Sequence, residues 1–345
     1  MTGNNSLLLI YTGGTIGMKQ DPVDNTLKPF NFSQISQEVP ELGRFAGRID
    51  SYTFDPVIDS SDVDPSLWQK LVLLIKEKYE EYDGFVILHG TDTMAYSASA
   101  LSFMIDGLTK PVVFTGSQLP IGMPRTDGRE NLISAVEIAS ARDREGHAMV
   151  PEVCICFDSL LIRGNRATKV SAETFRAFES PNCPPLAEAG VSIRYNSELI
   201  RKPLDWYQSI SVNTALDTRV SILKIHPGIT PKTVGNILND SDIRAVILET
   251  YGSGNAPSAP WFLDMVRSAA DSGKVLVNIT QCLGGSVDMN LYANGKALGS
   301  AGAVNGFDCT TESALAKLFY LLGKSNDSER IRQMMERNLK GEITK

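Results

Sequence analysis

The sequence predicts an α/β fold of two domains, each built on a mostly parallel sheet. Three observations carry that expectation. Short apolar, β-branched runs recur along the chain, and helix-period segments lie between them. The alternation breaks once, over a polar, charged stretch from Val191 to Asp217 that contains Pro203. At 345 residues and 42% hydrophobic content, there is enough apolar side chain to fill two cores.

Taken in order, the first run is Leu7–Tyr11, a strand that ends on Thr12-Gly13-Gly14-Thr15-Ile16-Gly17. Leu67, Leu71, Leu74 and Ile75 recur at helical spacing and predict a helix over Leu67–Tyr79. Phe85–Leu88 is the next strand, closing on His89-Gly90-Thr91-Asp92-Thr93. Strands Val112–Thr115 and Val153–Phe157 flank a helix over Leu132–Ala141. Residues 191–217 contain no convincing βα unit and read as a connection between a domain over 1–190 and a second over 218–345. The second domain carries strands Val220–Ile225, Ala245–Glu249 and Val275–Ile279, with a helix over Trp261–Ala270. Ser328-Glu329 opens a last amphipathic helix, expected to stop at Gly341.

The corners after Tyr11 and after Leu88 are the most informative features. In an open α/β sheet, ligands bind past the carboxyl ends of the strands, where glycine lets the backbone turn sharply. Both corners therefore deliver a threonine, Thr15 or Thr91, to one crevice. Taken alone, Thr12-Gly-Gly-Thr15 also reads as a tight βα turn with a helix cap. A phosphate cradle fits less well, because neither G-x-G-x-x-G nor G-x-x-x-x-G-K-[ST] is present. A threonine nucleophile is the third reading, and it needs a neighbouring base. Thr91 and Asp92 are candidate partners; His89 is a tempting base, but with no carboxylate orienter in either segment it reads rather as a packed, hydrogen-bonded histidine.

The two corners together resemble the signature regions of the bacterial-type L-asparaginase family. Asp59-Ser60-Ser61-Asp62, Arg163-Gly164-Asn165-Arg166-Ala167-Thr168-Lys169, Gly252-Ser253-Gly254-Asn255-Ala256-Pro257 and Thr280-Gln281-Cys282 extend the likeness, in the family's order, over nearly the whole chain. It is closest to the type I, cytoplasmic branch. The resemblance implies a larger flavodoxin-like N-terminal domain and a smaller Rossmann-like C-terminal one. It implies an L-asparagine amidohydrolase that gives aspartate and ammonia through an acyl-threonine ester on Thr15, with weak glutaminase activity and no cofactor.

The same resemblance makes Thr91, Asp92 and Lys169 a relay that activates a hydroxyl or the hydrolytic water. A lysine works as a base only when its pKa falls from about 10.4 toward about 7–8. Neighbouring cations favour that fall and a carboxylate opposes it; without the family, the Arg163–Lys169 segment reads as a solvated or anion-pairing loop. Asp59, Ser60 and Ser61 match residues that hold the substrate's α-amino and α-carboxylate groups, and Asp92 can also meet the ammonium. Read locally, Asp59–Asp62 is an Asx or Ser turn capping the helix that begins near Pro65. Asn255 matches a residue donated to the site of a neighbouring subunit, which implies a homodimer or homotetramer.

Two positions depart from the family. Many members carry a tyrosine about ten residues beyond the first threonine, where this chain has Asp24-Asn25-Thr26-Leu27. Some type I enzymes also bind asparagine at a regulatory site with an arginine where this chain has Glu249. With Thr280 and Cys282 still matching, Glu249 marks a vestigial effector site.

Composition limits the alternatives. A net charge of −7 argues against nucleic acid and anionic membranes as partners. Five cysteines, only Cys154 and Cys156 close in sequence, read as free buried thiols. His89, His147 and His226 are scattered, with no H-E-x-x-H or C-x-x-C, so no metal site is expected. Leu7–Ile10 is too short for a signal or membrane segment, and the absence of a basic leader implies a cytoplasmic protein. An amidotransferase-associated relative would carry an extra N-terminal domain, whereas the first strand here begins at Leu7. A non-catalytic amino-acid sensor would have lost Thr15, Thr91 or Lys169, and all three are present.

Overall fold

The computed structural model describes residues 5–20, 27–29 and 39–344. The chain divides into two compact units, Met1–Ser180 with Pro184–Thr214, and Pro181–Cys183 with Ala215–Lys345.

Among the described residues, the first unit is built on one eight-stranded sheet. Across it, the strands run Ile193–Tyr195, Ala187–Ala189, Leu160–Arg163, Val153–Phe157, Val112–Thr115, Gly84–Leu88, Ser6–Tyr11 and Arg48–Thr53. The five strands from Val153–Phe157 to Arg48–Thr53 are parallel; the remaining three join antiparallel. Gly84–Leu88 and Val112–Thr115 are buried on both faces, which suits continuous apolar runs rather than alternating ones. One face packs Leu7, Leu9, Val86, Leu88 and Val113 against Leu132, Ala135, Val136 and Ala139 of the helix Gly128–Ser140. The helices Pro65–Lys78 and Met94–Met104 pack against each other, and the second also packs on Val153–Phe157.

Asp64 caps Pro65–Lys78 by accepting from the Ser66 amide at 2.7 Å. The cap expected of Asp59–Asp62 is therefore made two residues later, next to a Pro at the first helical position. Asp59 instead caps its own short turn, Ser60–Asp62. Within the stretch read as a connection, Ile193–Tyr195 forms the edge strand and Ser211–Val212 pairs with Ile105–Asp106.

In the second unit the described residues form a four-stranded parallel sheet, ordered Val220–Lys224, Ala245–Thr250, Val275–Thr280, Ala303–Asn305. The helices Pro231–Leu238 and Pro260–Asp271 supply Val234, Leu238, Phe262 and Val266 to its core. The last helix runs Ser328–Met335 and stops short of the expected Gly341. Past it, the Leu339 amide that would continue the helix donates to Glu342 instead, and the buried Lys317 ammonium takes the carbonyls of Met335 and Arg337 at 3.0 and 2.6 Å.

Candidate active site

Two strands of the parallel run, Ser6–Tyr11 and Gly84–Leu88, lie side by side, with Tyr11 level with Leu88. Their carboxyl ends are hooked together. Thr12 donates both its amide and its hydroxyl to the Leu88 carbonyl, at 3.0 and 3.1 Å. Gly14 follows at φ 91°, in the left-handed region that glycine alone enters without strain. A Cβ on Gly14 would lie 2.5 Å from the Gly90 Cα, so the two corners touch backbone to backbone. Thr15 and Thr91 each directly follow one of the touching glycines, and both are half-buried. Thr15 is the first residue of a short 3-10 turn, Thr15–Gly17, and makes no side-chain cap.

A third loop closes on these two. The Ile58 amide donates to the Thr12 carbonyl at 2.8 Å, and the Thr93 hydroxyl donates to the Ser60 carbonyl at 2.7 Å. A Cβ on Gly90 would meet Ser60 Oγ at 2.5 Å. Ser60 is thus buried against the second corner, while Asp59 and Ser61 face solvent. Asp59 Oδ1 accepts from the Ser61 amide at 2.9 Å and its hydroxyl at 2.8 Å. Those two bonds, the amide's first, hold the Asp59 carboxyl below the usual carboxylate range.

Lys169 sits on a two-residue strand, Thr168–Lys169, paired antiparallel with Phe178–Glu179. Its Nζ reaches Thr91 Oγ1 at 2.8 Å and Asp92 Oδ1 at 2.7 Å. The lysine side chain is 20% exposed and that of Asp92 61%, so the cation is sheltered and the carboxylate open to solvent. Arg163 and Arg166, by contrast, are buried. Arg163 pairs with Glu152 at 2.7 Å and donates to the Leu199 carbonyl at 2.6 Å. The segment is therefore not a solvated basic loop: its arginines are packed into the fold, and Lys169 reaches Thr91 and Asp92.

His89 is fully buried, and burial lowers its pKa to about 4. Its Nδ1 lies 2.7 Å from the Gly90 carbonyl and its Nε2 2.9 Å from Ser97 Oγ. Both nitrogens are taken, which matches the packed reading of this histidine. Ser97, and Trp68 beyond it, are neighbours that no local sequence signal identified.

The other candidate positions lie in the second unit. Asn255 closes a tight turn, exchanging backbone bonds with Tyr251 at 2.8 and 2.9 Å. The Glu249 carboxylate accepts from Thr311 Oγ1 at 2.8 Å and lies 3.7 Å from Lys224 Nζ. Thr280 Oγ1 accepts the Cys282 amide at 3.0 Å. None of the cysteines forms a disulfide; Cys154, Cys156, Cys183 and Cys309 are buried, whereas Cys282 is exposed, so the expectation of buried thiols fails there. The position opposite the family's tyrosine, Asp24-Asn25-Thr26, lies outside the described residues.

One cluster escaped the motif search because its spacing is D-x-E-x-H. Ligand atoms of Asp143, Glu145 and His147 lie within 4.8 Å of one another. Asp143 Oδ1 accepts the Glu145 and His147 amides, both at 2.9 Å, which is the chemistry of an Asx turn. No helix among the described residues is long and apolar enough to cross a membrane.

The chain was compared with known proteins. The family model described as "Asparaginase, N-terminal" matches residues 6–201, and "Glutaminase/Asparaginase C-terminal domain" matches residues 219–335. The chain is 44% identical over 345 residues to L-asparaginase 1 of Escherichia coli strain K12, spanning 98% of each. It is 42% identical over 360 residues to a 60 kDa lysophospholipase of Mus musculus, spanning 98% of this chain and 62% of that protein. Its fold matches the crystal structure of L-asparaginase I from Vibrio cholerae O1 biovar eltor str. N16961 with a TM-score of 0.89, at 39% identity, over 99% of this chain and 100% of that one.

Proposed function

The chain belongs to the asparaginase family, and we infer that it hydrolyses the side-chain amide of L-asparagine to L-aspartate and ammonia with Thr15 as nucleophile. The observation that carries this reading is the bridge from Lys169 to Thr91 and Asp92, at 2.8 and 2.7 Å, on the corner whose Gly90 touches Gly14, the residue before Thr15.

An amide is a poor electrophile with a poor leaving group. Its hydrolysis calls for a nucleophile, a base, oxyanion donors and an acid for the departing nitrogen. Thr15 Oγ attacks the side-chain carbonyl carbon, and the small residues around it leave room for that approach. Backbone amides of the glycine turn face the developing oxyanion. Nitrogen leaves as ammonia, taking a proton, and an aspartyl ester remains on Thr15. The relay of Lys169, Thr91 and Asp92 activates the water that hydrolyses the ester. Asp59, Ser60, Ser61 and Asp92 hold the zwitterionic end of the substrate, a carboxylate to its ammonium and hydroxyls to its carboxylate. Glutamine, one methylene longer, is a weaker substrate.

Beyond the chemistry, the reading places the enzyme in the cytoplasm, where its five cysteines, none in a disulfide, stay reduced. It makes the protein a homodimer or homotetramer in which Asn255 contributes to a neighbour's site. Sedimentation showing an active monomer would remove that part.

The test is ammonia release from asparagine and from glutamine, each over a concentration series. Asparagine is expected to turn over with hyperbolic kinetics. Cooperativity needs an effector that binds one state better than another. At Glu249, like-charge repulsion replaces the arginine that would clasp an effector carboxylate. A Hill coefficient clearly above one, abolished by Glu249→Ala, would show an effector held in the reverse pose. No ammonia from either amide would sink the reading.

A further inference from the structure

We propose that His89, Ser97 and Trp68 form a neutral hydrogen-bonded clamp that positions the Thr91–Asp92 corner, making His89 a positioning residue rather than an acid or base. The proposal rests on the functional reading above and extends it to residues that do not touch substrate.

For a neutral imidazole, the geometry fixes every proton in the chain. The Gly90 carbonyl, 2.7 Å from His89 Nδ1, can only accept, so Nδ1 carries the hydrogen. Nε2 is then a bare lone pair. Trp68 Nε1 can only donate, and it donates to Ser97 Oγ at 2.9 Å. The Ser97 hydroxyl keeps its own hydrogen for His89 Nε2, also at 2.9 Å. Each of the three donors meets an acceptor within the chain. All three side chains are buried: His89 1%, Ser97 0% and Trp68 5% exposed. Breaking one link therefore leaves a desolvated polar atom behind.

The chain also joins the elements that carry the site. Trp68 lies on Pro65–Lys78, the helix that follows the Asp59–Asp62 turn. His89 and Gly90 open the corner that presents Thr91 and Asp92. Ser97 lies on Met94–Met104, the helix that follows that corner. The carbonyl that the clamp grips is that of Gly90, the residue in backbone contact with Gly14 and the one bonded to Thr91. The first corner has a parallel device, because Tyr11 Oη donates to the Gly14 carbonyl at 3.2 Å just before Thr15. Rotating the Gly90 peptide would turn Thr91 Oγ1 away from Lys169, and a misplacement of about 1 Å costs on the order of 10²-fold in rate.

The experiment compares wild type, Ser97→Ala, Trp68→Phe and a stability control, Tyr79→Phe. The control loses buried bonds from the Thr109 and Lys110 amides to Tyr79 Oη, at 2.7 and 3.0 Å, away from the clamp. Steady-state asparagine turnover is measured at a temperature where all variants are folded, together with the ring-nitrogen NMR of His89. Ser97→Ala is expected to lose at least about 10-fold in kcat with KM within about 3-fold, while Tyr79→Phe turns over like wild type. Trp68→Phe should fall between them. In wild type the ring should stay neutral, protonated on Nδ1, from pH 5 to 9. Ser97→Ala turning over within about twofold of wild type would overturn the clamp; so would a ring protonated on Nε2, or one that titrates near its ordinary value. If wild type released no ammonia from asparagine, the functional reading would fall, and the NMR result would still decide the clamp.

Discussion

Lys169 places one ammonium between a hydroxyl and a carboxylate, Thr91 Oγ1 at 2.8 Å and Asp92 Oδ1 at 2.7 Å. Methionine preserves the length of that side chain and removes its proton chemistry. Lys169→Met is therefore expected to lower kcat by at least about 10²-fold, the usual size of a lost acid–base group. A rise in KM alone would make the lysine a positioning cation instead. At this scale the sequence was legible in part. Thr91 and Asp92 lie directly past a strong apolar strand, so local pattern found them. Lys169 lies 78 positions from Thr91, on a strand of two residues, and only the family likeness singled it out. Trp68 and Ser97 gave no signal, because a serine and a tryptophan on helices look like core residues until the fold brings them to His89.

Elements marked by a bounded apolar run or a clear helical period were read well, and those without either mark were not. Val112–Thr115 and Val153–Phe157 are where the pattern put them, because strands buried on both faces are continuously apolar. Met94–Met104 was missed: it is buried almost all round, so it has no polar face to mark a helical period. Arg48–Thr53 was missed for the opposite reason, as an edge strand that is mostly exposed and polar. The early stop of the last helix coincides with contacts to Glu342 and to Lys317, on the helix Thr311–Lys324, that no local pattern encodes. Lys317 Nζ pairs with Glu342 Oε1 at 2.6 Å, and both side chains are 0% exposed. Burial, the largest single influence, pushes the Glu342 carboxyl up, but the charge and hydrogen bond of Lys317 and the amides of Leu339 and Lys340 together more than offset this and hold it below the usual range. Lys317→Met should cost about 3–5 kcal/mol, because it strands a buried carboxylate. Adding Glu342→Leu should recover part of that loss. Chemical denaturation of both variants measures it; a cost under about 1 kcal/mol for the single change would show that the pair carries little stability.

For the molecule as a whole, the buried His89 links stability to pH. Its pKa is 6.5 when exposed and about 4 in the fold, lowered by burial. Between those values the unfolded chain binds a proton that the folded chain refuses, so stability rises with pH across that window. The contribution is complete above about pH 6.5 and lost as pH falls toward about 4, amounting to about 3 kcal/mol. His89→Gln, which does not titrate, should show a correspondingly flatter fall in stability between those limits, and equal slopes in the two proteins would refute the linkage. The account of function turns on one covalent bond, the ester between aspartate and Thr15. Quenching the enzyme in acid during asparagine turnover, then mapping its peptides by mass spectrometry, tests that bond directly. The expected result is an aspartyl ester on the peptide that carries Thr15, with Thr15→Ala losing both the ester and more than about 99% of turnover. An ester on Thr91, or a Thr15→Ala protein that keeps more than about a hundredth of the wild-type rate, would contradict it.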